Sequence, residues 1–293
     1  MDELAGRVAV VTGGAGGVGR AMGERFARDG MKVVLGDVEA PALDATVTDL
    51  RADGLDVIGT VTDVADYDSV VHLRDFALDA HGVVHVLCNN AGVGAGASGQ
   101  MWDHELNDWR WAFGVNVWGV IHGIKAFVPG MIASGEPGHV VNTSSGNGGI
   151  APLPSTAIYA ASKSTVVTLT EVLWAQLRQV GAAVSASVLF PGPNILRTGL
   201  FSSWRNRPAE YANAKPPSKP PTTIESFEKA MADAGVDLVY TPTEEVAGRV
   251  AAAIVADQFW ILPPSERSDE QITARSASML ARTNPAYIRE LGG

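Results

Sequence analysis

The chain has 293 residues, 46% hydrophobic and 18% charged, with 32 glycines, which is the composition of a folded α/β protein and not of a disordered or fibrous one. Its one cysteine, Cys88, excludes an intrachain disulfide or a cysteine zinc cluster and fits a reducing compartment, for which the cytoplasm is the default. The net charge of −10 repels phosphate backbones and anionic lipid, so neither nucleic acid nor membrane is expected as a partner. The opening MDELAGRVAVVTGG has acids where an export signal needs a basic region, and its apolar run stops at Thr12. Gly, Asn or charge interrupts every later run before the roughly 18 to 20 apolar residues of a membrane-spanning helix.

In chain order, apolar runs at 7–12 (RVAVVT), 32–36 (KVVLG), 57–61 (VIGTV), 84–88 (VHVLC), 139–143 (HVVNT), 184–190 (VSASVLF) and 259–262 (FWIL) alternate with helix-length amphipathic segments. Seven buried strands separated by helices predict a doubly wound parallel sheet with helices on both faces, a Rossmann-like α/β fold. The spacing leaves no room for a second domain, so residues 1–293 are expected to form one domain. Two regions break the beat. Residues 197–243 carry Pro208, Pro216, Pro217, Pro220, Pro221 and Pro242, which predicts a loop with one short helix at 223–234, read as a lid inserted over a site. The extension at 264–293 is polar with a weak helical pattern and reads either as a surface helix or as a subunit contact.

Directly after the first run comes TGGAGGVG at 12–19. Gly14, Gly16 and Gly19 fit the pattern GxGxxG, while Gly13, Gly17 and Gly19, with Val18 between the last two, fit TGxxxGxG. In either register the chain lacks Cβ atoms where it turns, and it presents free N–H groups at a helix N-terminus to a pyrophosphate. The second run leads to Asp37, where a carboxylate accepts hydrogen bonds from both ribose hydroxyls of an adenosine and repels a 2′-phosphate. No Arg or Lys follows within 38–44, so NAD is expected over NADP.

Tyr159 and Lys163 stand four apart in a segment of helical period, so both project from one face. A free phenol titrates near pH 10, and each unit of depression needs about 1.4 kcal/mol of preference for the phenolate. The Lys163 ammonium and a nicotinamide cation are expected to supply it, making Tyr159 a general base for an alcohol and, in reverse, the acid. The histidines at 72, 81, 85, 104, 122 and 139 show no metal-binding spacing, so no metal is expected. Asn142, Thr143 and Ser144 match a glycosylation pattern but lie on a predicted buried strand. Cys88 reads as a small core residue. Trp102, Trp109, Trp111 and Trp118 read equally as a substrate pocket or a subunit interface.

Taken together, TGGAGGVG at 12–19, Asp37, Asp63 with Val64, NNAG at 89–92, Asn116, the serines at 144 and 145, YAASK at 159–163 and PG at 191–192 resemble the short-chain dehydrogenase/reductase family over residues 4–196 and 244–262. The resemblance implies that Asp63 and Val64 meet adenine and that Asn90, Ala91 and Gly92 line the cofactor, as do Pro191, Gly192 and Ile195. It implies that Lys163 also binds the nicotinamide ribose, that Asn116 holds a water relay through its backbone, and that a serine orients the substrate oxygen. Ser145, the second serine of NTSS, is assigned that role; its separation from Tyr159 is one residue longer than is common in the family, and the extra residue is placed at 152–156. A further departure is Leu196, where relatives often carry a carboxamide-binding Thr, which leaves Thr198 or backbone groups near Ile195 for that contact. The resemblance also implies a homo-oligomer, tetramer or dimer, built through the helices carrying Asn116 and Tyr159, with Gly119, Gly123 and Ala126 permitting close helix approach.

The function expected is an NAD-dependent oxidoreductase interconverting a small-molecule secondary alcohol and its ketone, running toward oxidation. Trp102, Pro152, Pro154, Trp204 and Tyr211, in segments expected at the pocket mouth, suggest a bulky apolar substrate. The long insertion and the sequence PGPNI resemble bacterial members that oxidise benzylic alcohols of lignin-derived aryl ethers. Two alternatives are a reductase of acyl-carrier-bound or steroid ketones, and an NAD-sensing protein without chemistry; the Ser, Tyr and Lys set speaks against the second.

Overall fold

The computed structural model describes residues 1, 3–94, 100–215, 222–233, 235 and 237–288. All seven expected strands form: β1 Val8–Thr12, β2 Lys32–Asp37, β3 Val57–Val61, β4 Val86–Asn89, β5 Gly138–Thr143, β6 Val184–Leu189 and β7 Trp260–Ile261. They pair in parallel in the order β3-β2-β1-β4-β5-β6-β7, with Val10 opposite Val34 on one side and Leu87 on the other. The helices are α1 Gly17–Arg28, α2 Ala40–Ala52, α3 Tyr67–His81, α4 Leu106–Phe113, α5 Gly119–Ala133, α6 Ala157–Gln179, α7 Ile224–Asp233, α8 Thr243–Val255 and α9 Glu266–Ala281.

Valine-rich strands suit this sheet because both of its faces are covered. Alternate side chains of β1 enter different layers. Ala9 and Val11 join Met22 and Phe26 of α1 and Val246, Val250 and Ile254 of α8. Val10 joins Leu73 of α3, Phe127 and Met131 of α5, and Leu173 and Leu177 of α6. From β1 the chain winds outward to β3, then returns to place β4 on the opposite side of β1. That reversal opens a crevice at the carboxyl ends of β1 and β4, where ligands of such sheets bind.

Two expectations about α5 are corrected. Gly119 and Gly123 do not face outward: a Cβ at Gly119 would lie 2.8 Å from Val64 Cγ2, and one at Gly123 would lie 2.0 Å from Asn89 Oδ1. Ala126 is buried in the core. These small residues seat the helix on its own sheet, not on a partner. Residues Leu106–Ala133 also run as one helical stretch long and apolar enough to cross a membrane, where no such run was expected. Half of its most apolar window is buried inside the protein, so core packing accounts for that composition.

The insertion forms helical turns at Gly199–Asn206 and Ala209–Tyr211, followed by α7 close to its expected place. Pro216, Pro217, Pro220 and Pro221 lie outside the described residues. Cys88 is fully buried in β4, and burial pushes its thiol pKa up. Asn142 of the glycosylation-like pattern is fully buried in β5, bonded to Asn89 and Thr170.

Candidate active site

At the crevice, Thr12 knits β1 to the end of β4. Its Oγ1 accepts from the N–H groups of Asn90 (3.0 Å) and Ala91 (3.2 Å), and its carbonyl accepts from Asn90 Nδ2 (3.0 Å). The glycine loop then turns into α1. Gly13 and Gly17 have φ of +67° and +53°, and a Cβ at Gly19 would stand 2.0 Å from the Gly13 carbonyl oxygen. A Cβ at Gly16 would meet nothing within 4 Å. The backbone constraints therefore follow the TGxxxGxG register, with Val18 partly buried against the core between Gly17 and Gly19.

The N-cap of α1 is Gly16, which has no side chain to cap the helix, and the first turn carries no acid, so its N–H groups and positive dipole end are available to an anion. Asp37, at the end of β2, spans the loop: Oδ2 accepts from Ala15 N–H (2.9 Å) and Oδ1 from Glu39 N–H (3.0 Å). A cradle that a Cβ would fill, an uncapped helix end and a fixed carboxylate beside it fit a dinucleotide. Asp63 and Val64 follow β3, with Asp63 Oδ1 accepting from Ala65 N–H (2.9 Å) and Val64 buried against Gly119.

Helix α6 carries Tyr159 and Lys163 one turn apart, with Lys163 Nζ 5.8 Å from the centre of the Tyr159 ring. The Ser145 hydroxyl accepts from Asn147 N–H (3.2 Å) and lies close enough to the Tyr159 phenol to hold its pKa down against burial. The neighbouring hydroxyl does something else: Ser144 Oγ is buried and donates to the Lys163 carbonyl (2.7 Å). The two serines thus divide, one facing the phenol and the other fastening β5 to α6.

The electrostatics differ from the sequence expectation. Burial raises the Tyr159 pKa, and the opposing pull comes from Ser145, not from Lys163. Lys163 is itself lowered to about 8 by burial, and its ammonium points at the Thr143 carbonyl (2.9 Å). Desolvation acts on both groups.

Asn116 is fully buried in a π-helical turn, Gly114–Trp118, where Gly119 N–H bonds back to the Gly114 carbonyl; such turns recur at functional sites. Its side chain, which sequence reasoning left out, accepts from Val93 N–H (2.8 Å) and donates to the Val93 carbonyl and Ser162 Oγ (both 3.0 Å). Ser162 in turn donates to the Tyr159 carbonyl (2.8 Å). A Cβ at Gly92 would lie 3.3 Å from both Asn116 Oδ1 and Lys163 Nζ, so residues 90–92 adjoin this cluster.

The carbonyls of Pro191 and Gly192 accept from Arg249 of α8 (2.9 and 3.0 Å), a residue without a sequence signal. Ile195 is less available than expected. Its N–H donates to the Val239 carbonyl (3.3 Å) and its carbonyl accepts from Thr241 N–H (2.9 Å), so the N–H cannot take a carboxamide oxygen without breaking that bridge, while the carbonyl keeps one acceptor position. Thr198 stands over the glycine loop, its Cγ2 3.1 Å from where a Gly17 Cβ would be.

The segment after Thr198 straps the crevice. Ser203 Oγ accepts from Gly94 N–H (2.9 Å), Arg205 pairs with Glu39, and Asn206 donates to the same carboxylate (2.8 Å). Arg207 then pairs with buried Asp108 (2.6 Å), which also accepts from Asn213 (2.9 Å). The tryptophans do not act as a group. Trp111 is core, packed with Val93, Ala112 and Ile158, whereas Trp102 is 79% exposed. Trp109 and Trp118 line a groove of about 570 Å³ with Phe113, His122 and Tyr211. Ser145, Tyr159 and Lys163 are not among its lining residues.

This fold and site define an alcohol dehydrogenase/reductase. Residues 7–208 match the short chain dehydrogenase family, and the chain belongs to it. It is 40% identical over 190 residues to a 1-deoxy-11-beta-hydroxypentalenate dehydrogenase of Streptomyces exfoliatus, covering 65% of this chain and 68% of the relative. It is 33% identical over 214 residues to a C alpha-dehydrogenase of Sphingobium sp. (strain NBRC 103272 / SYK-6), covering 73% and 68%. A short chain dehydrogenase/reductase from Burkholderia phymatum, solved in complex with NAD, superimposes with a TM-score of 0.88 at 40% identity, covering 98% of each chain.

Proposed function

We propose that the chain is an NAD-dependent oxidoreductase interconverting a bulky, apolar secondary alcohol, aromatic or benzylic, and its ketone. The observation that carries this reading is the placing of Tyr159 and Lys163 one turn apart on α6, with Ser145 at the turn packed on that helix, in a fold whose glycine loop is spanned by Asp37. The NAD complex of the Burkholderia relative and the dehydrogenase names of the Streptomyces and Sphingobium relatives, the first of them for a hydroxy compound, support it. Asp37 supports NAD over NADP, because a fixed carboxylate repels a 2′-phosphate.

Gly13, Gly17, Val18 and Gly19 would hold the pyrophosphate at the α1 N-terminus, and Asp37 the adenosine ribose. Asp63 and Val64 would meet adenine, residues 90–92 with Pro191 and Gly192 would line the cleft, and Lys163 would reach the nicotinamide ribose. Bound NAD supplies the hydride acceptor. Ser145 orients the alcohol oxygen, and the Tyr159 phenolate takes the hydroxyl proton as hydride leaves the carbinol carbon, so that alcohol becomes ketone with one hydride and one proton removed. Lys163, when charged, stabilises that phenolate, and Asn116 braces the loop after β4 against α6 with its side chain and would hold, through its backbone, the water relay that takes the proton outward. Trp204 and Tyr211 of the strap, with Pro152 and Pro154, would shape an apolar mouth.

The test is titration with NAD and NADP, followed by assay of aryl and alicyclic secondary alcohols through NADH absorbance. Turnover of aryl alcohols with NAD is expected. Activity confined to ketones with NADPH would instead establish a ketoreductase, and NAD binding without turnover of any alcohol or ketone would establish a sensor.

A further inference from the structure

Helix α9 lies beyond the stretch matched by the family, yet it reaches the turn Gly146–Ile150 that follows Ser145. Arg275 Nη1 donates to the Ile150 carbonyl at 2.7 Å, with the Gly149 carbonyl at 3.5 Å. Further along the tail, Tyr287 packs against the cluster of Ile150, Ala151, Val188 and Phe190. The gripped residues are tied to the serine: Gly149 N–H donates to the Ser145 carbonyl (3.0 Å), and Ala151 N–H to the Gly146 carbonyl (3.1 Å). Elsewhere the turn is held by Asn147, whose side chain donates to Thr156 (2.8 Å) and accepts from Leu153 N–H (2.9 Å). It is also held by Gly148, packed on the backbone of Ala160 next to Tyr159.

A five-residue turn with glycine at 146, 148 and 149 has little stiffness of its own, so the place of Ser145 depends on what grips the turn from outside. A purely structural Arg275 would only satisfy two carbonyls. Here the satisfied carbonyls belong to the turn residue bonded to Ser145 and to the one after it, and Ser145 is the group that opposes burial at Tyr159. We propose that Arg275 is a positioning residue: through the Gly146–Ile150 turn, whose Gly149 N–H is bonded to the Ser145 carbonyl and whose Gly148 packs on Ala160, the C-terminal segment holds Ser145 in its place beside the Tyr159 end of α6. This rests on the functional reading above, in which that placement serves proton transfer.

The test compares full-length Arg275→Ala and Arg275→Lys with wild type in kcat, KM for NAD, the pH profile of alcohol oxidation, the unfolding midpoint, and amide exchange at Gly149 and Ala151. Expected for the alanine variant is a fall in kcat on the order of tenfold to a hundredfold with KM for NAD unchanged. Its activity should rise at higher pH than wild type, and exchange at both amides should be faster; lysine should restore part of kcat. Wild-type kcat and pH profile in the alanine variant would overturn the proposal, whatever the exchange. So would a loss of activity that merely tracks a lowered midpoint while the pH profile stays in place. If wild type turns over no alcohol or ketone, the functional reading has failed and exchange decides alone. Faster exchange with an unchanged midpoint then supports the clamp, and unchanged exchange overturns it.

Discussion

At Ser144 and Ser145, adjacent hydroxyls have different partners and should fail differently. Ser145→Ala removes the group that pulls Tyr159 down, so burial acts unopposed, and the rising limb of kcat/KM for alcohol oxidation should move to higher pH. Ser144→Ala removes a donor from the buried Lys163 carbonyl, costing about 1–3 kcal/mol of stability with the limb in place. The opposite pattern in a paired pH-rate and urea experiment would reverse the roles. Lys163 gives a second pH signature. Its folded pKa of about 8 lies below the ordinary 10.5, so between those values the unfolded chain binds the proton more tightly, and stability should rise with pH across the window. Urea midpoints should show this rise in wild type and lose it in Lys163→Met. Sequence spacing placed Tyr159 and Lys163 on one face, but it could not show that the ammonium is turned to Thr143 and the phenol opposed by Ser145. Burial and side-chain direction are set by β5, which is distant in sequence.

Among the elements, strands and the glycine loop were legible because their determinants are local: Val-rich runs, a tight turn, and a carboxylate at the end of β2. The strap was not, because its anchors are far apart; Arg205 and Glu39 are 166 residues apart in sequence. Pro-rich composition showed that 197–243 breaks the helical beat, without showing what it touches. Glu39 would be raised by burial, but its bonds to Arg205 and Asn206 hold its pKa below the ordinary 4.5. That contribution is present above the ordinary value and lost as pH falls through the lowered one. Partly exposed pairs of this kind contribute about 0.2–1 kcal/mol, so Arg205→Ala should leave the thermal midpoint nearly unchanged while raising KM for cofactor roughly two- to fivefold. An unaltered KM would show that the strap does not bear on the crevice.

For the whole molecule, the topology does most of the positioning. Reversal of strand order between β1 and β4 makes the crevice, and Thr12, Asn90 and Asn116 lock its walls. With Gly119 and Gly123 facing inward, the homo-oligomer that the family resemblance implies would have to use other surfaces, and the exposed Trp118 of the groove offers one. Light scattering should give a dimer or tetramer that Trp118→Glu shifts toward monomer; a monomeric wild type would refute that assembly. The central claim is that the phenol of Tyr159 carries the proton in an NAD-dependent alcohol oxidation, and Tyr159→Phe tests it most directly. The account predicts unchanged NAD affinity and unfolding midpoint with kcat lowered by roughly 10²- to 10⁴-fold, and a variant that keeps wild-type kcat would contradict it.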